Sequence, residues 1–345
     1  MSKTSCDIGH HPFHHGGRLH EAIALFGHPR EAWLDLSTGI NPRGWPVPPL
    51  PPSLWRRLPE EEDGLETAAR RYYRTESILP VAGSQAAIRI LPTLRPRCRV
   101  GILEPTFSEH ASAWRRAGHD VRPLGPTPKT TELADLDVLV VVNPNNPTGH
   151  HHPTWRLLAW HRLLAAKGGW LVVDEAFMDC TPDDSLTSFS HRPGLIVLRS
   201  LGKFFGLAGA RVGFVGAAPE LILQMKASMG PWAVANPARW VATAALRDRA
   251  WQARTRQQLA QAGKRLAALL TRYGLPPKGG CPLFQWLPTA HAATLFEGLA
   301  RRGILIRHYT RPGGVRFGLP GREQAWARLE KALAGVTPAT EGAIR

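Results

Sequence analysis

Five short apolar runs constrain this chain more than anything else in it. They are Val100 to Leu103, Val138-Leu139-Val140-Val141-Val142, Trp170-Leu171-Val172-Val173, Leu195-Ile196-Val197-Leu198 and Val212 to Val215. Each is short for a core helix and lacks an alternating polar face, so each reads as a strand covered on both sides. Segments of helical character lie between them, such as His110 to Ala117 and Trp155 to Ala166. This alternation predicts an α/β fold around a mostly parallel sheet, whose ligands bind beyond the carboxyl ends of the strands.

Three of the runs end in chemistry. The first leads into Asn143-Pro144-Asn145-Asn146-Pro147-Thr148-Gly149, the second into Asp174-Glu175-Ala176-Phe177, and the third into Arg199-Ser200-Leu201-Gly202-Lys203. Taken singly, Asn146 is a turn residue, Ser200 a loop hydroxyl and Lys203 a solvated cation. Taken together they are the parts that hold pyridoxal phosphate (PLP). Lys203 supplies an amine for the cofactor's aldehyde. Asp174 keeps the pyridine nitrogen protonated, which makes the ring an electron sink. Asn146 donates to the ring's 3'-oxygen. The phosphate needs its own cradle. Arg211 and Ser200 can supply a guanidinium and a hydroxyl, and the backbone N–H groups of Ser84 and Gln85 open a predicted helix after Gly83.

Composition narrows the alternatives. The chain has 345 residues, 43% of them hydrophobic, enough for a sizeable core. No apolar run is long enough to span a bilayer, and the first residues carry no apolar signal core, so a cytoplasmic protein is expected. Cys6, Cys98, Cys180 and Cys281 are far apart and read as free thiols. Histidines cluster at His10-His11-Pro12-Phe13-His14-His15 and at His150-His151-His152. Consecutive loop histidines point in different directions, and no metal is expected. The net charge of +16 raises the question of nucleic acid. The basic residues are scattered and no nucleic-acid motif is present, so an arginine-rich surface or anionic metabolites account for the charge better. Asp174-Glu175 after a strand also suits a nucleotide hydrolase, but the Gly-x4-Gly-Lys-Ser/Thr loop which that chemistry needs is missing.

Three regions are expected: an N-terminal arm over 1–40 that joins the small domain, a large cofactor-binding domain over 41–235, and a small C-terminal domain over 236–345. The arm carries a short helix from His20 to Phe26. Another helix is expected over Glu66 to Tyr73. The C-terminal region starts with one long helical stretch, Arg239 to Tyr273. Strands at Leu283 to Leu287 and Gly303 to Arg307 and a helix from Arg322 to Ala334 follow.

The joint pattern Ser200-x-x-Lys203-x7-Arg211, Asn143 to Gly149 and Asp174-Glu175-Ala176 resembles the aspartate-aminotransferase superfamily of fold-type I PLP enzymes. The resemblance runs from His15 to about Arg316. It implies a fold-type I PLP transferase: a mainly parallel seven-stranded sheet flanked by helices, with a smaller α+β domain. Within the superfamily the chain looks like the branch of histidinol-phosphate aminotransferases and cobalamin-pathway L-threonine-O-3-phosphate decarboxylases. His15-Gly16-Gly17, Leu36 to Gly44, Asp174-Glu175-Ala176-Phe177, Pro231-Trp232-x-Val234 and Ile304-Leu305-Ile306-Arg307 resemble the decarboxylases. The resemblance implies that Lys203 and Asp174 are catalytic and that Phe107 stacks on the cofactor. It also implies that His15, Asn41, Arg307 and Arg316 line the substrate pocket. Two arginines suit a small phosphorylated amino acid, which carries a phosphate and a carboxylate. A homodimer is implied as well.

The chain departs from its relatives at Gly202, where many carry a serine, and at Phe177, where transaminases usually carry a tyrosine. Other readings stay open. His15 and Asn41 are as readily loop or cap residues, and Arg307 and Arg316 surface ion-pair partners. The activity could be transamination of histidinol phosphate with 2-oxoglutarate. In another class, the chain could be a basic, non-catalytic module that binds nucleic acid.

Overall fold

The computed structural model describes residues 15–336, so Cys6 and the cluster His10 to His14 lie outside the described residues. The chain divides into two compact units. The larger is Ile40–Lys264 with Gly279–Leu283; the smaller holds residues 15–39, Arg265–Lys278 and residues 284–336.

The smaller unit opens with α1 (Leu19–Phe26) and β1 (Leu34–Asp35). The larger unit continues with α2 (Leu65–Tyr73), β2 (Ile78–Val81), α3 (Ser84–Ile90), β3 (Arg99–Leu103), α4 (Glu109–Arg116), β4 (Asp120–Leu124) and α5 (Thr130–Ala134). Then come β5 (Val138–Val142), α6 (Thr154–Ala165), β6 (Trp170–Asp174), β7 (Leu195–Ser200), β8 (Gly213–Gly216), α7 (Pro219–Met229) and α8 (Asn236–Arg247).

Seven strands of the larger unit pair in the order β2-β8-β7-β6-β5-β3-β4. β8 is antiparallel to both neighbours, and the remaining neighbours are parallel. The apolar runs are covered on both faces. Val138 and Val140 join one core with Ile102, Trp114 and Ile196, while Leu139 and Val141 join another with Leu157, Val173 and Val197. The two strands that the apolar pattern does not reveal, β2 and β4, are the two edges. Both contain a proline, Pro80 and Pro123, which an edge tolerates because one side of the strand needs no ladder donor. β4 is also mostly exposed, so no apolar run marks it.

The larger unit extends beyond residue 235, to Lys264. α8 packs on α2. Arg239 on α8 donates to Asp63 at 2.7 Å and to Glu66 at 3.0 Å. The expected single helix from Arg239 to Tyr273 is instead two, α8 and α9 (Arg249–Arg272). Asp248 breaks it: its carboxylate accepts the Trp251 N–H at 3.0 Å and the Trp45 indole N–H at 3.1 Å. An aspartate that caps a new helix start competes with continuation of the old one.

In the smaller unit, β1 pairs in parallel with Ile304–Leu305. Phe284–Pro288 and Arg307–Tyr309 pair antiparallel with Gly314–Gly318. The expected strand from Gly303 to Arg307 is therefore interrupted at Ile306, its two halves serving different sheets. Among the described residues, no helix is long and apolar enough to cross a membrane.

Candidate active site

The parallel register sets the larger unit's site. Val142 on β5, Asp174 on β6 and Leu198 on β7 are lateral neighbours. The segments bearing Asn146, Asp174 and Lys203 therefore leave the sheet at one level, beyond its carboxyl edge. Backbone bonds continue the ladder past the strands: the Asn143 N–H donates to the Asp174 carbonyl at 2.8 Å and the Glu175 N–H to the Leu198 carbonyl at 2.9 Å.

Asp174 is buried. Its Oδ1 accepts the Ala176 N–H at 3.0 Å, and its Oδ2 lies 2.9 Å from Nε2 of His110, which is also buried. The pattern Phe107-x-x-His110 was the available signal for this partner, because α4 starts at Glu109 and so presents His110 one turn from Phe107. Sequence reasoning missed it. Lys203 is half-buried, with Nζ 5.4 Å from the centre of the Phe177 ring.

Asn145, also missed, ties two segments together. It accepts from the Thr106 hydroxyl at 2.7 Å and donates to the Pro105 carbonyl at 2.8 Å, which anchors the turn before Phe107 to the turn that carries Asn146. Asn41 comes next to Lys203 through its backbone, whose N–H donates to the Lys203 carbonyl at 3.0 Å. Its side chain donates to the Phe204 carbonyl at 2.9 Å and accepts the Arg43 N–H at 2.9 Å. A loop-fixing role is thus present whatever else Asn41 does.

The candidate phosphate cradle is marked by close approaches that only glycine permits. A Cβ on Gly83 would lie 2.7 Å from Arg211 Nη2, and one on Gly213 would lie 2.5 Å from the Ser84 nitrogen. Gly213 is also the cross-strand neighbour of Ser200. Ser84, Ser200 and Arg211 are therefore gathered around two glycines, whose missing side chains let these groups approach one another closely. Gly83 has φ 74°, a left-handed conformation that glycine adopts without strain. The side chain of Gln85 donates to Glu109 at 2.8 Å, so Gln85 offers the cradle its backbone N–H only. These residues fit PLP. Asp174 suits its pyridinium, Lys203 its aldehyde and the glycine-lined cradle its phosphate.

A buried ion cluster underlies the site. Arg199 donates to Glu175 at 2.5 Å and also pairs with Asp179, and all three are fully buried. Burial pushes the Glu175 carboxyl up despite Arg199, while for Arg199 burial is outweighed by Asp179 and Glu175, which hold the guanidinium charged. The cluster fixes the backbone on either side of Asp174 and Ser200.

In the smaller unit, Arg307 and Arg316 are direct cross-strand partners. Burial, then the neighbouring Arg316 and Arg18, lowers the Arg307 pKa against the opposing influence of Tyr309. Arg316 is buried and donates to the Ser37 carbonyl at 2.6 Å, and its guanidinium lies 4.9 Å above the Phe284 ring. The Ser37 hydroxyl accepts the Gly17 N–H at 2.8 Å, and a Cβ on Gly16 would lie 2.5 Å from the Ser37 carbonyl oxygen. Ser37 thus joins the segment His15-Gly16-Gly17 to Arg316, a role that the sequence did not signal. Among the described residues, no group of three or more His, Cys, Asp or Glu is arranged to hold a metal ion.

A family model for aminotransferase class I and II matches residues 59–340. The chain is 55% identical over 321 residues to threonine-phosphate decarboxylase of Pseudomonas aeruginosa, covering 93% of this chain and 97% of that protein. It is 40% identical over 333 residues to threonine-phosphate decarboxylase of Sinorhizobium sp, covering 94% and 98%. Among solved structures, histidinol-phosphate aminotransferase from Sinorhizobium meliloti in complex with pyridoxal-5'-phosphate superposes with a TM-score of 0.77 at 20% identity. It covers 92% of this chain and 93% of that one. At that identity the likeness concerns the fold.

Proposed function

The chain belongs to the aminotransferase class I and II family, and on that premise we propose that it decarboxylates L-threonine-O-3-phosphate to (R)-1-amino-2-propanol O-2-phosphate, with PLP as cofactor. The observation that carries the substrate is the pair Arg307 and Arg316. Two arginines directly opposite each other on an antiparallel ladder repel, and a dianionic ligand turns that repulsion into binding.

When bound, PLP supplies the sink for the electron pair of the bond that breaks at the substrate α-carbon. Lys203 would hold the cofactor, and its amine would be the group that returns a proton to the substrate α-carbon. Asp174, oriented by His110 and the Ala176 N–H, would be the carboxylate that pairs with the pyridinium. Ser84, Gln85, Ser200 and Arg211 would hold the phosphate, Asn146 would serve the 3'-oxygen and Phe107 would pack against the ring. Arg307 and Arg316 take the substrate's phosphate and carboxylate, and His15 and Asn41 complete the set that orients it. Orientation of the substrate by these residues would select the reaction. Residues that grip the carboxylate therefore decide between loss of CO2 and loss of the α-proton.

We further propose that this step serves cobalamin synthesis, the role that the resemblance to the cobalamin-pathway decarboxylases implies. A homodimer and a reducing cytoplasmic location are part of the same reading. The dimer is supported by the exposed Trp55, Leu58 and Trp232, and the location by Cys98 and Cys180, which form no disulfide among the described residues. The test is CO2 release from L-threonine-O-3-phosphate by the PLP-loaded chain, beside a Lys203→Ala control. Release that disappears in the control is expected. Glutamate formed with histidinol phosphate and 2-oxoglutarate, without CO2, would favour the aminotransferase instead.

A further inference from the structure

The larger unit holds a cavity of about 590 Å³ that none of the residues assigned to the cofactor lines. Six arginines line it, Arg71, Arg74, Arg199, Arg247, Arg249 and Arg256, and among the described residues no carboxylate does. Their charges are unequally matched. Arg199 has Glu175 and Asp179, and Arg74 meets Asp183 at 3.1 Å. Arg256 donates to neutral oxygens, the Asp179 carbonyl at 3.0 Å and the Tyr72 hydroxyl at 3.1 Å. Arg71, Arg247 and Arg249 are exposed around the same space.

We propose that this cavity is a second anion site, built for a metabolite bearing two or more phosphate groups. Several guanidinium groups around one concave space raise its potential and draw anions into it. Planar guanidinium forks match phosphate oxygens two at a time. The volume is that of a small-molecule site, too large for a lone phosphate. The floor is rigid: Tyr72 donates to Asp179 at 3.1 Å, Arg199 lies 4.8 Å above the Tyr73 ring, and Gln252 donates to the Ala245 and Leu246 carbonyls at 2.9 and 3.0 Å. A fixed floor beneath solvent-facing arginines lets a ligand bind without ordering the fold. The charges are drawn from α2, which carries Arg71, and from the distant but mutually adjoining α8 and α9, which carry Arg247 and Arg249 with Arg256.

The experiment is calorimetric titration of the PLP-loaded full chain with pyrophosphate, and separately with ATP, in low salt. One saturable site per chain is expected. Arg71→Gln/Arg247→Gln/Arg249→Gln should weaken it about tenfold or more while leaving decarboxylation and the melting temperature unchanged. Arg307→Ala should leave it intact, which separates it from the substrate arginines. Should the triple variant fold poorly, the single Arg249→Glu reads the same effect. Stronger binding of ATP than of pyrophosphate would assign the rest of the ligand to the Tyr72 wall, and equal binding would assign the site to phosphate alone. The proposal is overturned if neither probe saturates by millimolar concentration, or if binding vanishes in Arg307→Ala and survives in the triple variant.

Discussion

The His110–Asp174 bond, 2.9 Å between two buried groups, is the residue-scale feature with the clearest chemical consequence. A carboxylate held by a hydrogen-bond partner keeps one orientation. We expect His110→Phe to retain the fold and lower kcat by about tenfold or more, by analogy with partners that orient ligating groups. The decisive readout is the pH midpoint of the cofactor's visible absorbance, which should move in His110→Phe and return toward the parent in His110→Gln. An unmoved midpoint would make His110 a packing residue. At the other unit's arginine pair, Arg307→Ala is expected to raise KM for the phosphorylated substrate by about a hundredfold, and Arg307→Lys to recover part of that, since an ammonium supplies charge without the planar fork. Equal KM values in the parent and Arg307→Ala would remove Arg307 from the substrate set.

Strand ends and loops make up the next scale. The Arg199–Glu175–Asp179 cluster joins the segment after β6 to the end of β7. Removing one partner leaves buried charge uncompensated, so Arg199→Met should destabilise the chain by about 3–5 kcal/mol in urea unfolding. Converting Glu175 and Asp179 to their amides as well should restore much of that. Stability little changed in the single variant would show the cluster to be dispensable. The loop after β5 brings a pH dependence. His152 is buried against Trp160 and His150, and burial first, then His150 and the other nearby cations, lowers its pKa to about 4. Its unfolded value is higher, about 6.5, so the unfolded chain binds the extra proton between those two values. The stability from keeping His152 neutral is complete above about pH 6.5 and is lost as the pH falls toward 4, by about 3 kcal/mol at most. His152→Phe should flatten the slope of unfolding free energy between pH 4 and 6.5. A slope as steep as the parent's would assign the acid sensitivity elsewhere.

For the whole molecule, charge and exposed apolar groups dominate. A net charge of +16 is carried largely by arginines, and six of them meet at one cavity. Trp55, Leu58 and Trp232 are 68%, 62% and 57% exposed on the larger unit, and Trp232 holds φ at 60°, which bulky residues seldom adopt. Large exposed apolar groups of this kind mark interfaces. If the parent sediments as the proposed dimer, Leu58→Arg/Trp232→Glu is expected to shift it to monomer; a monomeric parent would remove the dimer, and an unshifted dimer would locate its interface elsewhere.

The sequence by itself determined the central strands, because five unbroken apolar runs suit only strands buried on both faces. It also determined the cofactor chemistry, because Asn146, Asp174 and Lys203 follow consecutive strands and Ser200 and Arg211 keep the family's spacing from Lys203. Only the tertiary structure decided the edges β2 and β4, where prolines and solvent exposure erase the apolar pattern. The break at Asp248 was likewise beyond sequence reading, since the aspartate ends one helix by capping the next. His110, Asn145 and Ser37 show the same limit at the site. A hydrogen bond between residues 64, 39 or 279 positions apart leaves no local pattern, and it exists because the sheet register and the cross-strand pairing bring those backbones together.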